Sequence, residues 1–151
     1  MSLVRCLKSS VSSNILRRQS LAGGVASARA FHVTPARAVV YPNADHKTFK
    51  QVTSAKDRIT LVDFHADWCG PCHQLAPVIQ KLTDEPNKSG KTGLPLDLVK
   101  VDTDSDEGQL LGATYKVRAL PTVIAFRDGA PISQFVGALN AAGVQKFLDD
   151  L

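Results

Sequence analysis

Aspartate and glutamate are missing from the start of this chain: the first acidic residue is Asp45. Residues 1–38 instead carry six arginine and lysine side chains, which account for the formal net charge of +4. Residues 39–151 hold 12 basic and 14 acidic side chains, so this part has no basic excess. Nucleic-acid binding, which depends on basic patches, is therefore not expected of it.

Long hydrophobic runs are missing as well. No stretch approaches the roughly 18–20 apolar residues of a membrane-spanning helix, and we expect no membrane insertion. The first 38 residues also lack the compact apolar core of a secretory signal. Their basic, serine-rich and acid-free composition is typical of an organelle transit peptide. A basic tail that stays attached to the domain is the open alternative.

The end of this segment carries a more specific pattern. Residues 29–34, Arg-Ala-Phe-His-Val-Thr, resemble a two-step mitochondrial processing site. By that resemblance, a first cut falls after Ala30 and an octapeptide, residues 31–38, is then removed. We therefore predict a transit peptide over residues 1–38, a mature domain over residues 39–151 that begins at Val39, and the mitochondrial matrix as destination.

Cysteine is scarce, since the chain contains only Cys6, Cys69 and Cys72. Cys6 lies in the predicted transit segment, so the domain keeps only the pair in Trp68-Cys-Gly-Pro-Cys. Two thiols at this spacing can close into a disulfide and reopen, which stores two electrons. A chain whose only possible internal disulfide is catalytic rather than structural suits a reducing compartment.

Two other chemistries use the same spacing. Extended through His73, the motif reads Cys-x-x-Cys-His, as in c-type haem attachment. The only methionine, Met1, lies in the predicted transit segment, which leaves no methionine in the domain as second axial ligand. A zinc site would need His65 and His73 beside both thiols, and we expect a strand and a helix to keep them apart. Redox chemistry is favoured, and a binding scaffold whose redox step is incidental stays open.

Hydrophobic periodicity predicts the order β-α-β-α-β-α-β-β-α, an α/β fold with a mixed sheet and helices on both faces. Residues 85–95, rich in Gly, Pro, Lys and Ser, predict a solvated loop. The predicted elements are residues 39–41, 45–55, 59–64, 69–82, 96–101, 106–115, 122–126, 132–136 and 141–151.

The first cysteine of the pair is predicted to be the reactive one. Cys69 falls at a helix N-terminus, where unpaired N–H groups and the helix dipole favour a thiolate. Cys72, one turn further, should pack underneath and leave Cys69 facing outward. Cys69 is then expected to attack a target disulfide and Cys72 to resolve the mixed disulfide. Pro71 stiffens the first turn, and Gly70 lets a partner's backbone come close.

Two further residues have more than one interpretation. Asp63 lies within the apolar strand 59–64, and a buried carboxylate is costly unless it has a partner or a role. It is either a proton acceptor for Cys72 or a structural acid paired with Lys100, and the spacing leaves both open. Pro121, just before a strong strand, is either a plain edge residue or a cis-proline that exposes a backbone edge to extended substrate.

Residues 61–72, Leu-Val-Asp-Phe-His-Ala-Asp-Trp-Cys-Gly-Pro-Cys, resemble the thioredoxin family, and the similarity runs from about Val39 to Leu151. The resemblance implies a thioredoxin fold, with a central mixed sheet of four to five strands flanked by helices on both faces. It also implies protein-disulfide reductase activity with no bound cofactor, and electrons supplied by NADPH through thioredoxin reductase. Disulfide-containing client proteins are the implied partners, and we expect a monomer.

The same resemblance implies roles for single residues. Asp63 would be the buried acid that assists Cys72, Lys100 the lysine near that acid, and Pro121 the cis-proline opposite the disulfide. Pro77 would be the proline that kinks the active-site helix. The implied docking surface consists of Trp68, Leu120 and Gly137.

The chain departs from the family pattern at two places. His73 stands where the family usually has lysine or arginine, so the charge beside the thiols depends on pH. The loop at residues 85–95 is several residues longer than in compact members, and we expect the fold to tolerate it.

Overall fold

The structure, a computed structural model, describes residues 38–84 and 88–151. The predicted transit segment therefore lies outside the described residues, except for Ala38. Within the described part, no helix is both long and apolar enough to cross a bilayer.

The elements follow the predicted order, and the α/β class is confirmed. They are β1 (Val40–Tyr41), α1 (His46–Thr53), β2 (Ile59–His65), α2 (Gly70–Asp84), β3 (Leu96–Asp102), α3 (Asp106–Thr114), β4 (Thr122–Arg127), β5 (Ala130–Val136) and α4 (Ala141–Asp149). Pro77 lies inside α2 without ending it. The Asp45 side chain caps α1 by accepting a hydrogen bond from the Thr48 amide at 2.8 Å.

The strands form one mixed sheet in the order β1-β3-β2-β4-β5. Strand β2 is central: it pairs in parallel with β3 and antiparallel with β4. The parallel register places Asp63 beside Lys100 and His65 beside Asp102. The loop after β2 carries the cysteines, so the redox motif emerges from the middle of the sheet.

The alternation of side chains along each strand gives the sheet two buried faces. Ile59 and Leu61 of β2 pack with residues of α2 and α4, such as Leu75 and Leu148. The intervening residues of β2, Val62 and Phe64, pack on the opposite face with residues of α1 and α3. Asp63 and His65 continue the row of Ile59 and Leu61, so they face α2.

The described part of the long loop, residues 88–95, packs on the end of α4. The Gly90 amide donates a hydrogen bond to the Leu148 carbonyl at 3.0 Å, and the Lys91 amide donates to the Leu151 carbonyl at 3.1 Å. The loop leads into the beginning of β3, whereas the cysteines follow the end of the parallel strand β2. It therefore lies at the end of the sheet away from the cysteines.

Candidate active site

The cysteines lie where β2 passes into α2. The Cys69 amide donates a hydrogen bond to the Ala66 carbonyl at 3.1 Å, which closes the turn before the helix. The Cys72 amide donates to the Cys69 carbonyl at 3.0 Å and approaches the Cys69 Sγ at 3.2 Å. Pro71 occupies the first turn of α2, where a missing amide proton costs no helical hydrogen bond. The sulfur of Cys69 thus lies at the start of the helix, within 3.2 Å of the Cys72 amide nitrogen.

Cys69 and Cys72 are joined in a disulfide, with their Cα atoms 5.3 Å apart. This bond uses both sulfurs that a haem attachment would need. Only 4% of Cys69 and 5% of Cys72 is exposed, so the expectation that the first cysteine alone faces outward is wrong for the oxidised pair. The bond ties the two sulfurs together, and Leu120 packs against both cysteines and Ala66.

The two cysteines differ in what lies beside them. A cavity of about 200 Å³ adjoins Cys72 but not Cys69. Cys72, predicted to be the resolving thiol, therefore shares this cavity with the buried acid. The cavity is lined by Asp63, His65, Ala66, Asp67, Cys72, His73, Ala76 and Lys100.

Asp63 is the most deeply buried acid of this cavity, with only 2% of the residue exposed. Its Oδ1 has no hydrogen-bond partner among the described residues. Burial raises the pKa of Asp63 from 3.8 to about 6, although attraction to His65 and Lys100 opposes the rise. A carboxyl group with such a pKa can both accept and release a proton near neutral pH.

The two histidines of the cavity differ in their contacts. The Nε2 of His73 lies 2.8 Å from the Asp67 carbonyl oxygen. A carbonyl can only accept, so this nitrogen carries a proton and donates it. His65 is half-buried, and its Nε2 is buried with no hydrogen-bond partner in the described part of the chain.

Sequence reasoning considered His65 only as a metal or haem ligand and missed its place beside Asp63. The available signal was the two-residue period of β2, which puts residues 63 and 65 on one face. The structure also brings His65, Cys72 and His73 around one cavity, although we expected strand and helix to keep them apart. Even so, residues 38–84 and 88–151 contain no cluster of three or more His, Cys, Asp or Glu side chains suited to holding a metal ion.

A second group of residues is connected to the cysteines through Leu120, which packs against them. The Leu120–Pro121 peptide bond is cis. The Pro121 carbonyl accepts a hydrogen bond from the Gly137 amide at 2.8 Å. Gly137 has a φ of 92°, a conformation that glycine adopts without strain. Leu120, Pro121 and Gly137 therefore adjoin one another next to the cysteine pair.

Trp68 is the most exposed large hydrophobic side chain near the cysteines, with 73% of the residue exposed. Its indole Nε1–H donates to Asp104 Oδ1 at 3.2 Å. Trp68 and Leu120 line a shallow groove together with Val117, whereas Gly137 is not part of that groove. The predicted docking residues thus fall into two neighbouring sets.

Residues 40–150 match the family model described as thioredoxin. The chain belongs to the thioredoxin family. Its similarity to a thioredoxin of Mycolicibacterium smegmatis is 39% identity over 90 residues, 60% of this chain and 75% of that protein. It is 32% identical to the mitochondrial thioredoxin of Rattus norvegicus over 131 residues, 87% of this chain and 74% of that one.

Solved structures give the same result for the fold. The crystal structure of the thioredoxin Mala s 13 from Malassezia sympodialis superposes with a TM-score of 0.62 at 33% identity, covering 74% of this chain and 92% of that one. The predicted thioredoxin fold is therefore confirmed, with five strands in the sheet. With the Cys69–Cys72 pair in place, this thioredoxin-family chain is a thiol–disulfide oxidoreductase.

Proposed function

We propose that this chain works as a protein-disulfide reductase, with Cys69 as the attacking and Cys72 as the resolving thiol. The observation that carries the proposal is the different surroundings of the two sulfurs. Cys69 directly precedes α2, where the helix dipole and the Cys72 amide favour a thiolate, and Cys72 adjoins the cavity that holds Asp63.

The first step is attack on a client disulfide. The Cys69 thiolate forms a mixed disulfide with one client sulfur, and the other client sulfur leaves as a thiolate. Trp68 and Leu120, which share a groove next to the cysteines, would hold the client chain during this step. Pro121 and Gly137 would contact it from the other side of the disulfide.

The second step releases the reduced client. Cys72 gives its proton to the Asp63 carboxylate and attacks the Cys69 Sγ, so the internal disulfide forms and the second client sulfur departs. The client thereby gains two electrons. Proton transfer onto a buried carboxylate removes a charge from an apolar environment, which favours the transfer. Lys100, which lines the same cavity, would limit how far the Asp63 pKa rises.

Two electrons from NADPH, delivered by thioredoxin reductase, would return the pair to the dithiol. The test is insulin reduction by the purified chain with NADPH and thioredoxin reductase, followed as NADPH consumption. We expect turnover from the unaltered chain and from Cys6→Ser, and none from Cys69→Ser. Cys72→Ser should instead accumulate a mixed disulfide with insulin through Cys69. An inactive unaltered chain, or full turnover by Cys69→Ser, would refute the reductase proposal.

Replacing the enzymatic donor with dithiothreitol separates the two parts of the proposal. If the chain reduces insulin with dithiothreitol but not with thioredoxin reductase, the result supports the proposed chemistry of the cysteine pair. It also excludes thioredoxin reductase as the electron donor.

We also propose that residues 1–38 direct the chain to the mitochondrial matrix and are removed there. The composition of that segment and the likeness to a mitochondrial thioredoxin support this. Sequencing the N-terminus after import into isolated mitochondria should show a chain that begins at Val39. A chain that still begins at Met1 would contradict the proposal.

A further inference from the structure

The resolving step leaves a proton on Asp63, and the chemistry of the cysteine pair does not by itself remove it. After Asp63 takes the proton from Cys72, the carboxyl group must be held in place and then deprotonated before the next cycle. Asp63 is 2% exposed, and its Oδ1 has no hydrogen-bond partner among the described residues. Any group that acts on this oxygen must do so through the cavity.

Three basic side chains line the cavity beside Asp63 and Cys72 and could take part. Lys100, on β3, carries an ammonium group at neutral pH and has no acceptor to offer. His73, on α2, is exposed and donates its Nε2 proton to the Asp67 carbonyl. His65 remains, on the same face of β2 as Asp63 and two residues further along.

His65 has the features that the other two lack. Its Nε2 is buried and has no partner within the described residues, as is the case for Asp63 Oδ1. The residue as a whole is only half-buried, so part of it remains accessible to solvent although Nε2 is buried. No ion pair within 4.0 Å joins His65 to Asp63 among the described residues, so a contact between the two side chains would have to pass through a water molecule.

We propose that His65 is a positioning residue for the resolving step, hydrogen-bonded through water to Asp63 and sharing the proton that Asp63 receives from Cys72. A cavity of about 200 Å³ with polar walls is large enough to hold such water. The proton passes from the Cys72 sulfur to Asp63, and then through water to His65 and the solvent. When the pair is reduced again, the same path returns a proton to Cys72.

Other charged groups also face His65. Asp102 is its neighbour in the register of β3, Lys100 lies on the same strand, and His73 and Asp67 line the cavity from α2 and the preceding loop. A water molecule hydrogen-bonded to both side chains would couple the protonation of Asp63 to His65. The catalytic role of His65 rests on the proposed reductase function. The coupling between His65 and Asp63 does not, because it can be measured in the isolated chain without a client.

The test is an NMR titration of the Asp63 carboxyl carbon in the oxidised full-length chain, comparing His65→Gln with His73→Gln. Both substitutions remove a histidine from the same cavity, but only the first removes the proposed partner. We expect the Asp63 midpoint to rise by about half a pH unit or more in His65→Gln and to stay unchanged in His73→Gln.

The same pair of variants tests the catalytic role. The rate at which insulin is released from the mixed disulfide should depend on pH, and the acid limb of this profile should shift to higher pH in His65→Gln only. Added imidazole should restore the original pH profile in His65→Gly.

An unchanged Asp63 midpoint in His65→Gln, or equal shifts in both variants, would overturn the inference. If His65→Gln fails to fold, the same comparison with His65→Asn decides the inference, and an unchanged Asp63 midpoint in that variant overturns it. An unaltered chain that does not reduce insulin removes the reductase proposal but leaves the titration result standing.

Discussion

Asp63 and Lys100 are direct neighbours across the parallel strands β2 and β3, yet the ion pairs of the described residues do not include one between them. Both side chains face α2 and line the cavity beside Cys72. The lysine therefore attracts the carboxylate from a distance without neutralising it. This is the reason that burial still prevails and the pKa of Asp63 rises to about 6.

Replacing Asp63 with asparagine should slow the second chemical step and spare the first. Asparagine has nearly the same shape but cannot accept the Cys72 proton. We expect the mixed disulfide with insulin to persist about 10- to 100-fold longer, at the lower end of general-base contributions. Quenched-flow trapping of the mixed disulfide measures its lifetime. Equal lifetimes in Asp63→Asn and the unaltered chain would exclude Asp63 as proton acceptor.

The same substitution should stabilise the oxidised fold at alkaline pH. Because the pKa of Asp63 is raised from 3.8 to about 6, its contribution to stability is fully present below pH 3.8 and is lost as the pH rises through 6. Asp63→Asn should therefore increase the free energy of unfolding at pH 8 by up to about 3 kcal/mol. Urea titrations should show this gain vanishing near pH 4. The exposed Asp57→Asn should show no such pH-dependent gain.

Trp68→Ala should weaken client binding without harming the fold. The side chain is largely exposed and lines the groove next to Leu120. We expect KM for insulin to rise several-fold, with a change of no more than about 0.5 kcal/mol in the free energy of unfolding. Leu110→Ala, which removes an exposed apolar side chain of α3 outside the groove, is the matched control. Equal KM values for the two variants would argue against docking at Trp68.

Gly90→Ala should destabilise the packing of the long loop on α4. A Cβ atom at Gly90 would lie 2.4 Å from the Asp149 carbonyl oxygen and 2.6 Å from its Cα, and backbone atoms cannot move aside easily. We expect a loss of about 1–3 kcal/mol in urea unfolding, typical of overpacking. Gly112 lies inside α3, and a Cβ atom there would lie 4.0 Å from the Val117 side chain, so Gly112→Ala should instead gain about 0.5–1 kcal/mol. A neutral Gly90→Ala would show that the loop does not clamp the end of α4.

Processing at Val39 should stabilise the domain through Asp97. The Val39 amide donates to Asp97 Oδ1 at 3.0 Å, and Arg58 holds the other oxygen at 2.7 Å. Asp97 is almost fully buried, so an α-ammonium group at Val39 would pair with a desolvated carboxylate. We expect the chain that begins at Val39 to unfold at higher temperature than the full-length chain at pH 6.

The pH dependence of this gain has a definite sign. Pairing raises the pKa of an amino group, so the gain should be present below about pH 7.7, the ordinary value for an α-amino group, and be lost as the pH rises above it. Asp97→Asn should remove the difference between the two chain lengths. Equal thermal midpoints for both lengths at pH 6 would contradict the pairing.

The order of the helices and strands could be predicted from the local pattern of apolar and polar residues. The strand 59–64, the helix 106–115 and the strand 132–136 each depend on neighbours within a few residues, and each matches the structure to within three residues at its ends. The positions of the cysteine pair at a helix start and of the acid within a strand could be predicted for the same reason.

Tertiary packing decided what the motif residues touch. Both cysteines are buried because Leu120, 48 residues after Cys72, packs against them. The register of β2 with β3 places Lys100 beside Asp63, and the approach of α2 encloses a cavity with His65 on its wall. By itself the sequence determined the chemistry available to this chain, because redox and proton-accepting groups are properties of side chains. Only the folded structure decided which thiol adjoins the acid and which histidine lies beside it, because those distances depend on contacts between residues far apart in the chain.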